Sequence, residues 1–307
     1  MGERRTGLPF EHLWREVGWF NRGRGRPRLK AVVLPGLDWY PRPGIWDDAV
    51  EVLRWRPSRR APRVASRRMW ARTLWRDTTL AAVLFPLGVP AAVRQALRLA
   101  YTARSQQIPL VLVARWPSSY EANNHPYQHV RRGFELARTL TPSLILVGPE
   151  WFGESKDIFG SRDVATAWGT ILGWLAHGFY PRFAGRRAWR LGIAAATMGW
   201  GTGRLGLAQA WREAWSRAAR MGMDTARGLF VHAVIGPESH PRDVRNTLEA
   251  WLYEHDWTRP LFWSAQVDPS FAGRVRVLLV AVGLPNRETA DSGAPGTWCE
   301  CLASTAS

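Results

Sequence analysis

The chain has 307 residues, 46% of them hydrophobic, with 42 basic against 25 acidic side chains and a net charge of +17. That length is enough for two ordinary domains, each with its own core, and the composition reads as a soluble globular chain. No apolar run reaches the roughly 18 residues of a membrane span, and no apolar stretch follows Glu3, Arg4 and Arg5, so neither a transmembrane helix nor a signal peptide is expected. The two cysteines, Cys299 and Cys301, are too close together to staple a fold, which agrees with a reducing, cytoplasmic location.

In chain order, Phe10, Leu13, Trp14, Val17 and Phe20 recur at helical spacing and predict a short amphipathic helix. Arg22-Gly-Arg24-Gly-Arg26-Pro27-Arg28 follows, a basic linker that contains the Arg-Gly-Arg-Pro core of peptides that enter a narrow minor groove. Residues 1–28 are thus an N-terminal helix and basic linker. Leu29–Leu34 predicts a strand, and Ile45–Val52 a helix after the Pro41/Pro43/Gly44 turn. Nine arginines lie between Arg54 and Arg76, interleaved with Trp55, Trp70 and Trp75. Such a stretch suits phosphate contact with base stacking, but a solvated helix face with tryptophans turned inward is the preferred reading. Arg22, Arg24, Arg26, Arg28, Arg59, Arg60, Arg67 and Arg68 are the candidates for contact with nucleic acid or an anionic membrane. Lysine occurs only at Lys30 and Lys156, so base composition is the alternative source of the arginine excess. Nineteen tryptophans raise the question of interfaces.

From Thr79 the pattern is α/β: strands at Leu80–Phe85, Leu110–Ala114 and Leu144–Val147, separated by helices at Ala91–Ala103 and Val130–Leu140. Helical crossovers of this length imply parallel pairing. A helix at Ser161–Ala176 closes a first unit, 29–178. The second unit, 179–285, has a strand at Leu191–Thr197, a helix at Leu207–Ala219, a strand at Leu229–Ile235 and a helix at Pro241–His255. It ends in two apolar arms around Asp268-Pro269-Ser270 and Gly273, a hairpin or other tight β-connection. Residues 286–307 are polar and rich in Gly, Ser and Thr, and read as a disordered tail.

Several of these segments carry a resemblance. Thr197-Met198-Gly199 with Gly201, then a helix with Ala208, Ala210 and Ala214, is similar to the Met-Gly-x-Gly turn and alanine-rich helix of FtsZ, the bacterial tubulin homologue. Thr225-Ala226-Arg227-Gly228-Leu229 resembles that family's Gly-Ala-Arg-Gly-Val segment. Asp268-Pro269, Val275-Arg276-Val277 and Ala281-Val282-Gly283 resemble the end of its core. In the first unit, Val111–Glu121 is similar to a strand followed by Pro-Phe-Ser-Phe-Glu-Gly, and Leu144–Val147 to the strand after it. The resemblance implies a two-domain α/β fold, with a reduced Rossmann-like parallel-sheet N-terminal domain, a central helix and an α/β C-terminal domain.

Where the family cradles GTP phosphates on Gly-Gly-Gly-Thr-Gly-Thr-Gly, this chain has Phe85-Pro86-Leu87-Gly88-Val89-Pro90. Prolines donate no amide, and bulky Phe85 and Leu87 are expected where phosphate oxygens would sit. The first strand leads into Leu34-Pro35-Gly36-Leu37-Asp38, whose carboxylate would repel phosphate. In place of the family's acidic hydrolysis loop stands Tyr180-Pro181-Arg182-Phe183-Ala184-Gly185, and arginine cannot serve as a base. The resemblance leaves Glu121 at a ribose-contacting position, Asp163, with Phe159 before it, at the guanine-reading position on the central helix, and Gly88 in the phosphate turn, a vestigial pocket or ordinary surface residues.

Rival motifs are weaker. Gly201-Thr202-Gly203-Arg204-Leu205-Gly206 has Rossmann glycine spacing, but no acid ends the next strand. His125 and His129 have zinc-like spacing without a third ligand. The sequence therefore points to an FtsZ-like, non-catalytic cytoskeletal or cell-division accessory without catalytic residues, metal or cofactor, acting on FtsZ or on itself through filament-type surfaces. The alternatives are a polymerising GTPase that binds GTP or GDP in a remodelled pocket, and an anionic-surface binder.

Overall fold

The computed structural model describes residues 29–37, 50–55, 74–117, 127–141, 143–148, 162–179 and 191–284. The elements in order are β1 (Leu29–Val33), β2 (Val50–Arg54), β3 (Leu80–Pro86), α1 (Pro90–Ser105), β4 (Leu110–Arg115), α2 (Tyr127–Leu140) and β5 (Ser143–Val147). They continue with α3 (Arg162–Gly173), which runs into a π-helical turn at Trp174–Phe179, then β6 (Gly192–Thr202), α4 (Gly206–Arg220), β7 (Gly228–Ile235), α5 (Pro241–Glu254), β8 (Leu261–Val267) and β9 (Arg274–Val282). The predicted N-terminal helix, the basic linker, most of the Arg54–Arg76 stretch and the tail lie outside the described residues.

All nine strands join one sheet in the order β2-β1-β3-β4-β5-β6-β9-β7-β8. From β2 to β6 every pairing is parallel. β9 then lies antiparallel between β6 and β7, and β8 pairs parallel with β7. The fold is therefore α/β, as the strand and helix pattern implied, with a mainly parallel sheet that runs through both units.

Burial on both faces explains the sequence of the central strands. β3 (LAAVLFP) and β7 (GLFVHAVI) are buried at every position, the continuous apolar signature of a doubly covered parallel strand. One face packs against α1, α2, α4 and α5 through residues such as Val83, Phe85, Ala96, Phe134, Ala214 and Val244. The other packs against α3 and its π-turn through Leu84, Val113, Trp168, Ile171, Trp174 and Met198. Among the described residues no tryptophan is exposed. Trp211, Trp215, Trp251 and Trp257 form a cluster that locks α4 to α5, with Trp215 and Trp251 edge to face at 4.6 Å. The described tryptophans thus serve the core.

Three local expectations are corrected. Residues 50–52, expected to end a helix, belong to β2. Val50 and Val52 are β-branched, and register against Leu29 and Ala31 of β1 overrides the weak helical pattern. The two arms around Asp268 do not pair with each other, because β7 lies between β8 and β9. Their link instead crosses the end of β7, where the Asp268 amide donates to the Ile235 carbonyl at 2.9 Å and the Gly273 amide to Glu238 Oε1 at 2.7 Å. The Met-Gly-x-Gly segment is not a turn but the second half of β6, paired with β9.

Those β6 glycines exist because α4 lies directly on the strand. A Cβ on Gly199 would overlap the Ala210 carbonyl oxygen and lie 2.7 Å from the Ala214 amide nitrogen. One on Gly201 would overlap the Gly206 carbonyl oxygen and lie 2.7 Å from Gly206 Cα. The clash is with backbone, which cannot swing aside. Gly199→Ala and Gly201→Ala should each destabilise the protein by about 3 kcal/mol or more in urea denaturation. Gly173→Ala, in open space near the end of α3, should be neutral or stabilising by up to about 1 kcal/mol.

Candidate functional site

Ligands of open parallel sheets bind outside the carboxyl ends of the strands. Among the described residues that edge is formed by the ends of β1, β3, β4 and β5 and by the turns after β1 and β3. β1 and β3 are held together past their last paired residues by the Leu34 amide, which donates to the Leu84 carbonyl at 2.9 Å. The chain then turns through Gly36, whose φ of +92° is a glycine conformation. A Cβ there would lie 3.1 Å from Pro86 Cγ and 3.6 Å from Val89 Cγ2. The turn after β1 is thus laid directly on the turn after β3.

The turn from β3 into α1 is Leu87-Gly88-Val89. Leu87 is wholly buried, Gly88 is buried, and the Leu87 amide donates to the Arg115 carbonyl at 3.0 Å. Next, the Trp116 amide donates to the Val147 carbonyl at 2.8 Å, which continues the zipper from β4 to β5. α1 starts at Val89, extended at φ −107°, with no side chain capping it and no acid in its first turn. Pro90 stands at the first helical position, where its lack of an N–H is least costly. Only Ala91 and Ala92 can contribute first-turn amides, since the Val93 amide already bonds the Val89 carbonyl at 3.0 Å.

A triphosphate cradle needs several convergent amides on a backbone that it can approach closely. This turn has the amides of Leu87, Gly88 and Val89. One donor is engaged by the sheet, and Pro86 and Pro90 have none. The expectation that Phe85 and Leu87 fill the cleft is corrected. Both side chains lie in the core facing α1 and α2, as the two-residue alternation of β3 dictates. The groups against the Gly36 turn are Pro86 and Val89.

Of the residues assigned to a vestigial pocket, Gly88 sits in this turn and Asp163 is the second residue of α3, whose core contacts are on the opposite face of the sheet. Glu121, Phe159, the Tyr180–Gly185 loop and the arginines at 22, 24, 26, 28, 59, 60, 67 and 68 lie outside the described residues. Sequence reasoning overlooked Gly133 in α2. A Cβ there would lie 3.0 Å from the Leu87 carbonyl oxygen and 3.1 Å from Val93 Cγ2, so this glycine lets α2 close over the turn. An isolated glycine within a helical pattern was its available signal. The Gly201/Gly203/Gly206 spacing has a packing cause as well: Gly201 lies against Gly206, and the Gly203 amide bonds the Gly273 carbonyl at 3.0 Å.

No family model and no curated protein matches the chain. Solved structures do. An empty FtsZ dimer from M. jannaschii superimposes with a TM-score of 0.57 at 17% identity, over 74% of this chain and 73% of that one. CetZ from Methanosaeta thermophila gives a TM-score of 0.52 at 10% identity, over 79% and 70% of the two chains. The GTPγS-bound protofilament of CetZ2 from Haloferax volcanii gives 0.50 at 15% identity, over 79% and 75%. The chain therefore has the FtsZ/tubulin-like fold. No helix among the described residues is long and apolar enough to cross a membrane.

Because Leu87 is core rather than cleft lining, Leu87→Ala should cost about 3 kcal/mol in urea denaturation. Calorimetry on the same variant should show no gain of GTP binding.

Proposed function

We propose that this protein is a non-catalytic member of the FtsZ/tubulin-fold proteins that works in the cytoplasm through filament-type protein contacts, with copies of itself or with FtsZ. Its place would be in a cytoskeletal or cell-division structure. The observation that carries this reading is the turn between β3 and α1. There the Leu87 amide is bonded to the Arg115 carbonyl, prolines stand on either side, and the Gly36 turn is laid against Pro86. A nucleotide would have to break that packing to reach the backbone. The fold itself supports assembly, since its solved neighbours include an FtsZ dimer and a CetZ2 protofilament.

Titrating GTP with magnesium into the purified protein should give no calorimetric binding tighter than a Kd of about 1 mM, or roughly 4 kcal/mol. Sedimentation of the protein, alone and mixed with FtsZ polymers, should be the same with and without GTP for the part due to this chain. Micromolar GTP affinity, or self-assembly that appears only with GTP, would overturn the reading in favour of a polymerising GTPase.

A further inference from the structure

Four helices, α1, α2, α4 and α5, cover one face of the sheet, and their charge is unevenly shared. α4 and α5 together carry five arginines against four carboxylates, and the Glu213–Arg217 and Arg245–Glu249 pairs tie much of it up. α1 and α2, which pack side by side, carry six arginines against one carboxylate, Glu135, itself 2.6 Å from Arg138. α1 has no acid anywhere along its 16 residues. Ala92, Val93, Ala96, Leu99, Ala100 and Ala103 are buried, and Leu97 is half-buried against the same core. The large exposed side chains of α1 are Arg94, Arg98, Arg104 and Tyr101, the last 70% exposed, and on the neighbouring α2 Arg132 is exposed together with Leu136.

We propose that the outer surface of α1 and α2 is a docking face for the phosphate backbone of duplex DNA. This inference does not depend on the reading of the nucleotide turn. Guanidinium groups bind phosphate bidentately, and the neutralised phosphates release counterions. The helix fixes its arginines on one broad outward face, spread over about 120° of its circumference, with Arg94 and Arg104 separated by about 15 Å of helix axis, the rise of about four phosphates along one strand of a duplex. A membrane is the less suitable occupant, because an interfacial helix must present an apolar face to the acyl boundary. The apolar face of α1 is spent on the sheet. Phosphate contacts carry no sequence information, so binding through them is expected to be independent of sequence.

The test must separate this face from the positive charge of the whole chain. A short fluorescein-labelled DNA duplex is titrated with the full-length protein at several salt concentrations and followed by anisotropy. Replacing Arg94, Arg98, Arg104 and Arg132 by alanine should weaken binding at least about tenfold and reduce the slope of log K against log salt by about 3 to 4. Replacing the same four by lysine should keep most of the slope. The control removes equal charge from elsewhere through Arg204, Arg212, Arg220 and Arg242, all exposed, and should change the slope by less than about 1. Urea denaturation of each variant checks that the fold is kept. Equal losses in both quadruple variants, no DNA binding by the parent protein, or tighter binding to phosphatidylserine vesicles than to DNA would each overturn the proposal.

Discussion

Five residues of β5 lie in register with five of β6, from Ser143 beside Gly192 to Val147 beside Ala196, and this short ladder holds the two halves in one sheet. On one side of it the topology is all parallel, and on the other the antiparallel β9 is inserted. Ser143 secures its start: the buried hydroxyl accepts the Leu191 amide at 3.2 Å. The ladder also creates a difficulty, because β6 has 11 residues and β5 only five. Among the described residues the upper half of β6 runs on past its neighbour, and a strand edge without a paired strand must be satisfied or guarded. α4 supplies the guard. Glu213 accepts the Trp200 amide at 2.6 Å, while Arg217 donates to the Met198 carbonyl and pairs with Glu213. The same close seat that requires Gly199 and Gly201 brings these two side chains to the edge.

Much of this architecture was legible because it is written in local periodicity. The apolar runs of β3 and of β7, the latter interrupted by His232, suit doubly covered strands, and the helices between strands implied parallel pairing. The element boundaries shifted by a few residues only. What was not legible is what depends on a third element. Asp268-Pro269-Ser270 with Gly273 is a sound turn signal, and a hairpin is its simplest completion. Whether β7 slips between the arms is decided by long-range burial, of which the turn carries no trace. The Met198–Gly201 glycines look like a turn for the same reason: glycine marks a special backbone demand without saying whether that demand is curvature or a helix lying on top.

The candidate site divides in the same way. That Pro86 and Pro90 withhold amides follows from residue identity alone. That the Leu87 amide is bonded to Arg115 does not, since it requires β4 to be alongside. The direction of Phe85 and Leu87 was recoverable from sequence, because both share parity with Val83 and residues two apart in a strand face the same way. Bulk at a position in the chain was mistaken for bulk at a position in space. The acid-free composition of α1 was legible too, but it was hidden by the denser arginine runs upstream.

The turn after β3 also bears on how such a fold stays folded. A glycine-rich phosphate loop is costly without its ligand: glycine gains the most entropy on unfolding, and amides aimed at an absent anion are poorly satisfied. Proteins built that way draw part of their stability from bound nucleotide, by RT ln(1 + [L]/Kd). Here each of those deficits is offset within the chain. Proline at two positions narrows the unfolded ensemble, worth roughly 0.4–1 kcal/mol each where the native φ suits it. Full burial of Leu87 adds about 1.5–3 kcal/mol, and its amide has a partner in the next strand. On the proposed non-catalytic reading, a sheet edge stabilised in this manner would need no ligand to hold its shape. If the chain assembles as proposed, its contact surfaces would then be presented constantly, and control of assembly would act by partner concentration or on the charged helices, not by nucleotide turnover.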